Sequence, residues 1–154
     1  MSAVPQPGTP APDFTLMSTA GEPVTLSGFR GDQAVLLAFI PAAFTSTCTA
    51  ELCEFSEDYG RYQDRGVTVL PISADLVPAL RAWKAQEGLT VDLLSDVRRE
   101  ASRAYGVLEE ARFQARRAYF LIDRDGVVRW SHVEASGGDK RDTEELLAQI
   151  EALA

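Results

Sequence analysis

The chain has 154 residues, and 15 Lys and Arg against 23 Asp and Glu leave a formal charge of −8 and a pI near 4.6. That acidity argues against nucleic acid or an anionic membrane as partner, because phosphates attract surplus Lys and Arg. A hydrophobic share of 45% and a charged share of 25% describe a globular chain, which at this length buries roughly 68–70% of its unfolded surface without a disulfide or metal staple.

No apolar run reaches the roughly 18 residues that a membrane helix needs. The first eight residues carry neither a basic start nor an apolar signal core, so a cytoplasmic location is expected. In a compartment that keeps thiols reduced, the two cysteines are inert, metal-binding or redox-active rather than a permanent staple.

Residues 1–12 hold Pro5, Pro7, Pro10 and Pro12 and read as an extended, weakly ordered lead-in. Asp13 to Leu16 and Pro23 to Leu26 alternate polar and apolar residues around Ala20-Gly21-Glu22, which predicts a small hairpin. Ala34 to Ile40 is a continuous apolar run of strand length, as for a strand covered on both faces. Val67 to Ile72 is a second such strand, with Pro71 near its end or on a bulge. Between them Cys48, Leu52, Phe55, Tyr59 and Tyr62 recur at helical spacing on one face. Ser46 or Thr47 is the expected cap, and Glu51 sits where the helix dipole favours an anion. Strand, helix, strand is a crossover unit with a parallel pair.

Pro78 to Glu87 forms a helix ended by Gly88, Asp92 to Leu94 a short strand, and Arg98 to Tyr105 a short helix closed by Gly106. Ala118 to Ile122 is a strand, Asp123 to Gly126 a turn, and Val127 to Val133 its antiparallel partner. Asp142 or Thr143 starts the final helix, with Leu146, Leu147, Ile150 and Leu153 facing inward. The pattern predicts a single α/β domain over residues 1–154, a central mixed sheet flanked by helices.

Cys48 falls just inside a helix that follows a buried strand. The dipole and the free N–H groups of a first turn stabilise a thiolate there. The same residue also continues the Leu52-Phe55-Tyr59 stripe as a small core side chain. Its neighbours separate the two readings: Pro41, Thr45 and Cys48 form Pro-x-x-x-Thr-x-x-Cys in the strand-to-helix turn. Glu51 follows, then Ile72-Ser73-Ala74-Asp75 with Trp83, Leu93-Leu94-Ser95-Asp96, Ala104-Tyr105-Gly106-Val107, and Arg117-Ala118-Tyr119-Phe120-Leu121-Ile122-Asp123. In order and spacing, Pro12 to Val133 resembles the peroxiredoxins.

The resemblance implies a thioredoxin-like fold, no cofactor or metal, and thiol-dependent reduction of hydrogen peroxide or small organic hydroperoxides. It implies Cys48 as the peroxidatic thiol, Thr45 as the hydroxyl that holds the peroxide, and Pro41 as a shield against bulk water. Arg117 would stabilise the thiolate and the charge moving along the O–O bond, with Glu51 orienting that arginine. Arg116 is its rival. Strand alternation sends the two to opposite faces, and the Arg-x-x-Phe spacing selects Arg117.

Cys53 is a resolving thiol in the bacterioferritin-comigratory, or Q-type, members, which place one five residues after the peroxidatic cysteine. The alkyl hydroperoxide reductase E members share the flavour of Pro41-Ala42-Ala43-Phe44-Thr45 and commonly lack it. The resolving route gives an intramolecular disulfide recycled by a thioredoxin-like dithiol. The alternatives are a one-cysteine peroxidase with a structural Cys53, or a non-enzymatic peroxide sensor or holdase. A thiol–disulfide oxidoreductase would carry Cys-x-x-Cys, whereas four residues separate this pair. On a helix, positions i and i+5 lie roughly 8–9 Å apart at Cα, and a disulfide needs less than about 7 Å. The helix start must therefore unwind for the pair to join.

His132, the single histidine, reads as a strand residue on the surface or in packing. With two cysteines it gives no zinc spacing. Asp123-Arg124-Asp125-Gly126 is too short for a calcium loop, and Ser136-Gly137-Gly138-Asp139 lacks the ending of a phosphate loop. The chain is a monomer or a homodimer on this reading, Phe44 suiting either a dimer contact or a core position.

Overall fold

The computed structural model describes residues 3–153; residues 1 and 2, at the start of the lead-in, lie outside the described residues. Thr15–Ser18 (β1) and Pro23–Thr25 (β2) form the expected hairpin with Leu16 opposite Val24, while Leu26–Phe29 turns into a 3-10 helix instead of prolonging the strand. Ala34–Phe39 (β3), Val67–Ser73 (β4), Leu94–Ser95 (β5), Ala118–Ile122 (β8) and Val128–Val133 (β9) complete a sheet ordered β2-β1-β5-β4-β3-β8-β9. The pairs β3–β4 and β4–β5 are parallel, and β8 runs antiparallel to both β3 and β9.

Every residue of β3 is buried, and its side chains alternate between two cores. Leu36, Ala38 and Ile40 pack with Leu52, Phe55, Leu80, Trp83 and Leu146, from Ser46–Glu57 (α1), Val77–Glu87 (α3) and Thr143–Glu151 (α5). Val35, Leu37 and Phe39 pack on the other face with Ala101 and Tyr105, at Glu100–Ala104 (α4), and with Phe120. A continuous apolar run is the expected sequence for a strand covered twice. In β8 the same period of two sends Tyr119 and Leu121 toward α1 and Ala118, Phe120 and Ile122 away from it.

Pro71 needs no bulge. Ile72 O accepts from Ile40 N toward β3, so the N–H-less nitrogen of Pro71 turns to the other edge. There pairing with β5 starts only at Ile72.

Several boundaries differ from expectation. The apolar stripe divides between α1 and Tyr59–Gln63 (α2): Asp58 leaves helical geometry and accepts a hydrogen bond from Thr143 Oγ1 of α5 at 2.6 Å. Tyr62 still returns to the core. Helix α4 starts at Glu100 rather than Arg98, because Asp96 takes the N–H groups of Ala101 and Ser102 at 3.1 and 2.8 Å after a left-handed Arg99. Leu108–Glu109 (β6) and Gln114–Ala115 (β7) form an unforeseen hairpin whose strands are too short for periodicity to register. The lead-in is tied down: Gly8 N donates to Val128 O at 2.7 Å and Ala11 N to Gly126 O at 2.9 Å. Among the described residues no helix is long and apolar enough to cross a membrane.

The β8–β9 turn is organised by one carboxylate. Asp123 Oδ1 accepts from Asp125 N and Val127 N at 2.9 and 3.0 Å, and Arg129 meets Oδ2. Burial pushes this carboxyl up, yet the Val127 N–H, then Arg129 and the Asp125 N–H, hold it below its ordinary value. A depressed acid stabilises the fold above the ordinary carboxylate range and loses that contribution as pH falls through its lowered value. Asp123→Ala should cost about 1–3 kcal/mol at neutral pH, read as a lower urea midpoint, and the deficit should shrink in acid.

Candidate active site

Strand β3 ends at the buried Phe39, and the chain passes through the buried Ile40 to Pro41. The loop to α1 is anchored from β4. Ala43 N donates to Asp75 Oδ2 at 2.8 Å, and the Ser73 hydroxyl donates to the same carboxylate. Phe44 takes a left-handed conformation at φ 64, stays half exposed, and sets its ring 6.1 Å from Trp83.

Thr45, not Ser46 or Thr47, is the N-cap residue of α1. Its hydroxyl donates backward to Ala42 O at 2.8 Å, and among the described residues no side chain caps the helix. The first-turn N–H groups of α1 therefore keep their partial positive charge at the opening beside Cys48. Cys48 is the third residue of that helix and 1% exposed. Trp83 Nε1 donates to Thr49 Oγ1 at 3.1 Å and fixes the next residue against α3.

Arg117 reaches the thiol from the entry to β8, 69 residues further along the chain. It lies in the junction between β7 and β8 rather than within a strand, and is 2% exposed. Its Nη2 donates to Cys48 Sγ at 3.1 Å and to Gly137 O at 3.2 Å, while Nη1 donates to Glu51 Oε1 at 2.7 Å. Arg116 points outward and donates to Glu134 O at 3.2 Å. The expected opposition of the two arginines is thus present at this junction.

Glu51 is one helical turn past Cys48, buried, and bonded on its second oxygen to the Tyr119 hydroxyl. Burial pushes its carboxyl up, and Arg117 followed by the Tyr119 hydrogen bond pulls it back in part. Burial, then the Glu51 charge, pushes the Tyr119 phenol above its usual range. Burial disfavours the Arg117 cation, but Glu51 and then Cys48 hold it above its ordinary value. A fixed, desolvated guanidinium between a carboxylate and a sulfur can stabilise negative charge on that sulfur and on an oxygen bound beside it.

The thiol sits at the edge of an open cavity of about 430 Å³, lined by Pro41, Thr45, Cys48, Arg117, Gly137 and the outward arginines Arg112 and Arg116. Pro41, Thr45, Cys48, Glu51 and Arg117 are therefore gathered within one site. Cys53 is set apart. It is half-buried on the continuous helix α1, packs against the core, and forms no disulfide with Cys48. Burial, then the carboxylates of Glu87 and Glu57, pushes its thiol up. His132 stacks on Trp130 and places Nε2 3.0 Å from Glu134 Oε1.

Three contributors escaped the sequence reading. Tyr119 carried a usable signal, because a period of two from Arg117 puts it on the same side. Asp75 was visible only within a matching string, and Gly137 contributes through a carbonyl that no side-chain pattern marks.

A likeness to known proteins covers nearly the whole chain. It is 37% identical over 149 residues to alkyl hydroperoxide reductase E of Mycobacterium tuberculosis, spanning 94% of this chain and 97% of that protein. It is 37% identical over 153 residues to peroxiredoxin 2 of Thermoplasma acidophilum, spanning 95% and 75%. The reduced 2-Cys peroxiredoxin of Plasmodium vivax superposes with a TM-score of 0.88 at 30% identity, covering 95% of this chain and 80% of that one. The mixed sheet with flanking helices is accordingly the thioredoxin-like fold of those structures. The AhpC/TSA family model matches residues 7–131, and the chain belongs to that family, the peroxiredoxins.

Proposed function

We propose that the chain is a thiol peroxidase in which Cys48 reduces hydrogen peroxide or a small organic hydroperoxide. The observation that carries this reading is the Arg117 Nη2 contact of 3.1 Å with Cys48 Sγ at an uncapped helix start. The Cys48 thiolate attacks the terminal peroxide oxygen, the O–O bond breaks, and the departing alkoxide takes a proton. The products are the Cys48 sulfenic acid and water or an alcohol. Thr45 and the first-turn N–H groups hold the peroxide, Pro41 limits water, and Arg117 meets the charge that develops on the leaving oxygen.

Cys53 then attacks the sulfenic sulfur, expelling water and forming a disulfide, and a thioredoxin-like dithiol returns two electrons and two protons. The position of Cys53 on intact α1 supports unwinding as part of this step, since its i+5 spacing is roughly 8–9 Å at Cα and a disulfide needs less than about 7 Å. A one-cysteine enzyme is the competing reading, favoured by the packing of Cys53 against the core and its raised thiol.

Stopped-flow oxidation followed by intact mass separates them. The resolving route turns the wild type into a species lighter by a pair of hydrogens, without titratable thiols. Cys53→Ser should instead stop at a trappable Cys48 sulfenic acid and overoxidise readily. The disulfide form should lose amide-exchange protection from Thr47 to Glu54, while Val35 to Phe39 stay protected in the buried sheet. Sulfenic acid accumulating in the wild type, or protection unchanged across the start of α1, would leave the one-cysteine reading.

A further inference from the structure

The steps above give no work to Tyr119, although its hydroxyl belongs to the same buried network. Its side chain is fully buried, and the Arg141 backbone N–H donates to the phenol oxygen at 3.0 Å. With that lone pair engaged, the phenol proton is directed at Oε2 of Glu51. Oε1 of Glu51 accepts from Arg117 Nη1 at 2.7 Å, and the same guanidinium reaches Cys48 Sγ at 3.1 Å. One unbroken series of hydrogen bonds therefore runs from residue 141 to the thiol.

We propose that Tyr119 is a positioning residue for the oxidation of Cys48, holding the Glu51 carboxylate so that Arg117 is aimed at the sulfur. The proposal rests on the reading of Cys48 as the peroxide-reacting thiol.

A carboxylate that is 2% exposed needs donors on both oxygens to keep its charge. Arg117 serves one oxygen and Tyr119 the other, with Lys140 adding attraction from the loop after β9 and Cys48 Sγ on the other side of the guanidinium. The hydroxyl also shares the charge of Glu51, so that the guanidinium is not drawn wholly to the carboxylate and remains available to sulfur. Because burial and Glu51 push the phenol up, it remains a donor through the working range. Removing the hydroxyl leaves Oε2 without its donor, the carboxyl takes up a proton at higher pH, and Arg117 loses a fixed anchor.

Tyr119→Phe keeps the buried ring and removes this single bond. Its rate of Cys48 oxidation by hydrogen peroxide should fall about 10-fold at neutral pH, the scale of a lost hydrogen bond to a charged group. The deficit should close as pH rises and Glu51 ionises. In a Glu51→Gln background the same substitution should change the rate by less than about twofold, because Tyr119 acts through that carboxylate. An effect below about twofold in the parent, or an equal loss in both backgrounds, overturns the proposal. If Tyr119→Phe fails to fold, Tyr119→Gln retains an N–H donor for Oε2. A rate there within about threefold of wild type supports the role, and a loss equal to that of Glu51→Gln overturns it. Absence of Cys48 oxidation in the wild type would instead strike the peroxidase reading, which keeps the two failures distinct.

Discussion

Cys48→Ser is expected to consume no peroxide beyond the uncatalysed background. The serine hydroxyl remains protonated at neutral pH, and neither Arg117 nor the first turn of α1 can make it a nucleophile comparable to a thiolate. The substitution is small enough to preserve the fold: a hydroxyl replaces a thiol that is 1% exposed and still accepts from Arg117. Cys53 packs against the core away from the cavity that Cys48 and Arg117 line, and burial, then Glu87 and Glu57, pushes its thiol up, so it is not expected to take over. Peroxide loss in the presence of a dithiol donor, with circular dichroism to confirm folding, gives the readout. Near-normal turnover in a folded Cys48→Ser protein would overturn the assignment of chemistry to this site.

The second large effect belongs to Arg117. Arg117→Ala removes the contact to Cys48, the anchor on Glu51 and the bond to Gly137 O together. Loss of one preorganised donor at a site of developing charge costs about 10²–10³ in rate, and that is the expected fall in the oxidation rate constant. Stability should fall too, by about 3–5 kcal/mol, because Glu51 is left buried without its cation. The rate must therefore be measured per folded molecule, well below the urea midpoint. Arg116→Ala provides the contrast. Its side chain is exposed and, among the described residues, hydrogen-bonds to the Glu134 carbonyl alone, so its stability should stay within about 0.5 kcal/mol of wild type and its rate should be nearly unchanged. A larger loss of rate for Arg116→Ala than for Arg117→Ala would show that the junction before β8 presents the other arginine to the thiol.

The strands of the sheet and the helices beside it were legible because their residues obey local periods. The apolar run of β3, the alternation of β8 and the Cys48-Leu52-Phe55 spacing of α1 each bury a face that a neighbouring layer covers. The ends of elements were less legible. Asp58 and Asp96 move helix boundaries through hydrogen bonds to other segments or to the turn that follows, and β6 and β7 are too short to show a period.

The candidate-site residues follow the same division. Pro41, Thr45, Cys48 and Glu51 are close in the chain, so a strand-to-helix turn gathers them and their spacing is readable. The sequence alone determined that these four lie close together, and its resemblance to the peroxiredoxins pointed to Arg117. Only the tertiary structure decided that Arg117, far along the chain, meets Cys48, that Tyr119 closes on Glu51, and that a carbonyl at Gly137 receives the same guanidinium. Those contacts depend on the register of β8 against β3 and on the chain after β9 bringing Gly137 against Arg117. Register arises from the packing of two cores at once, and no window of sequence contains both partners of such a contact.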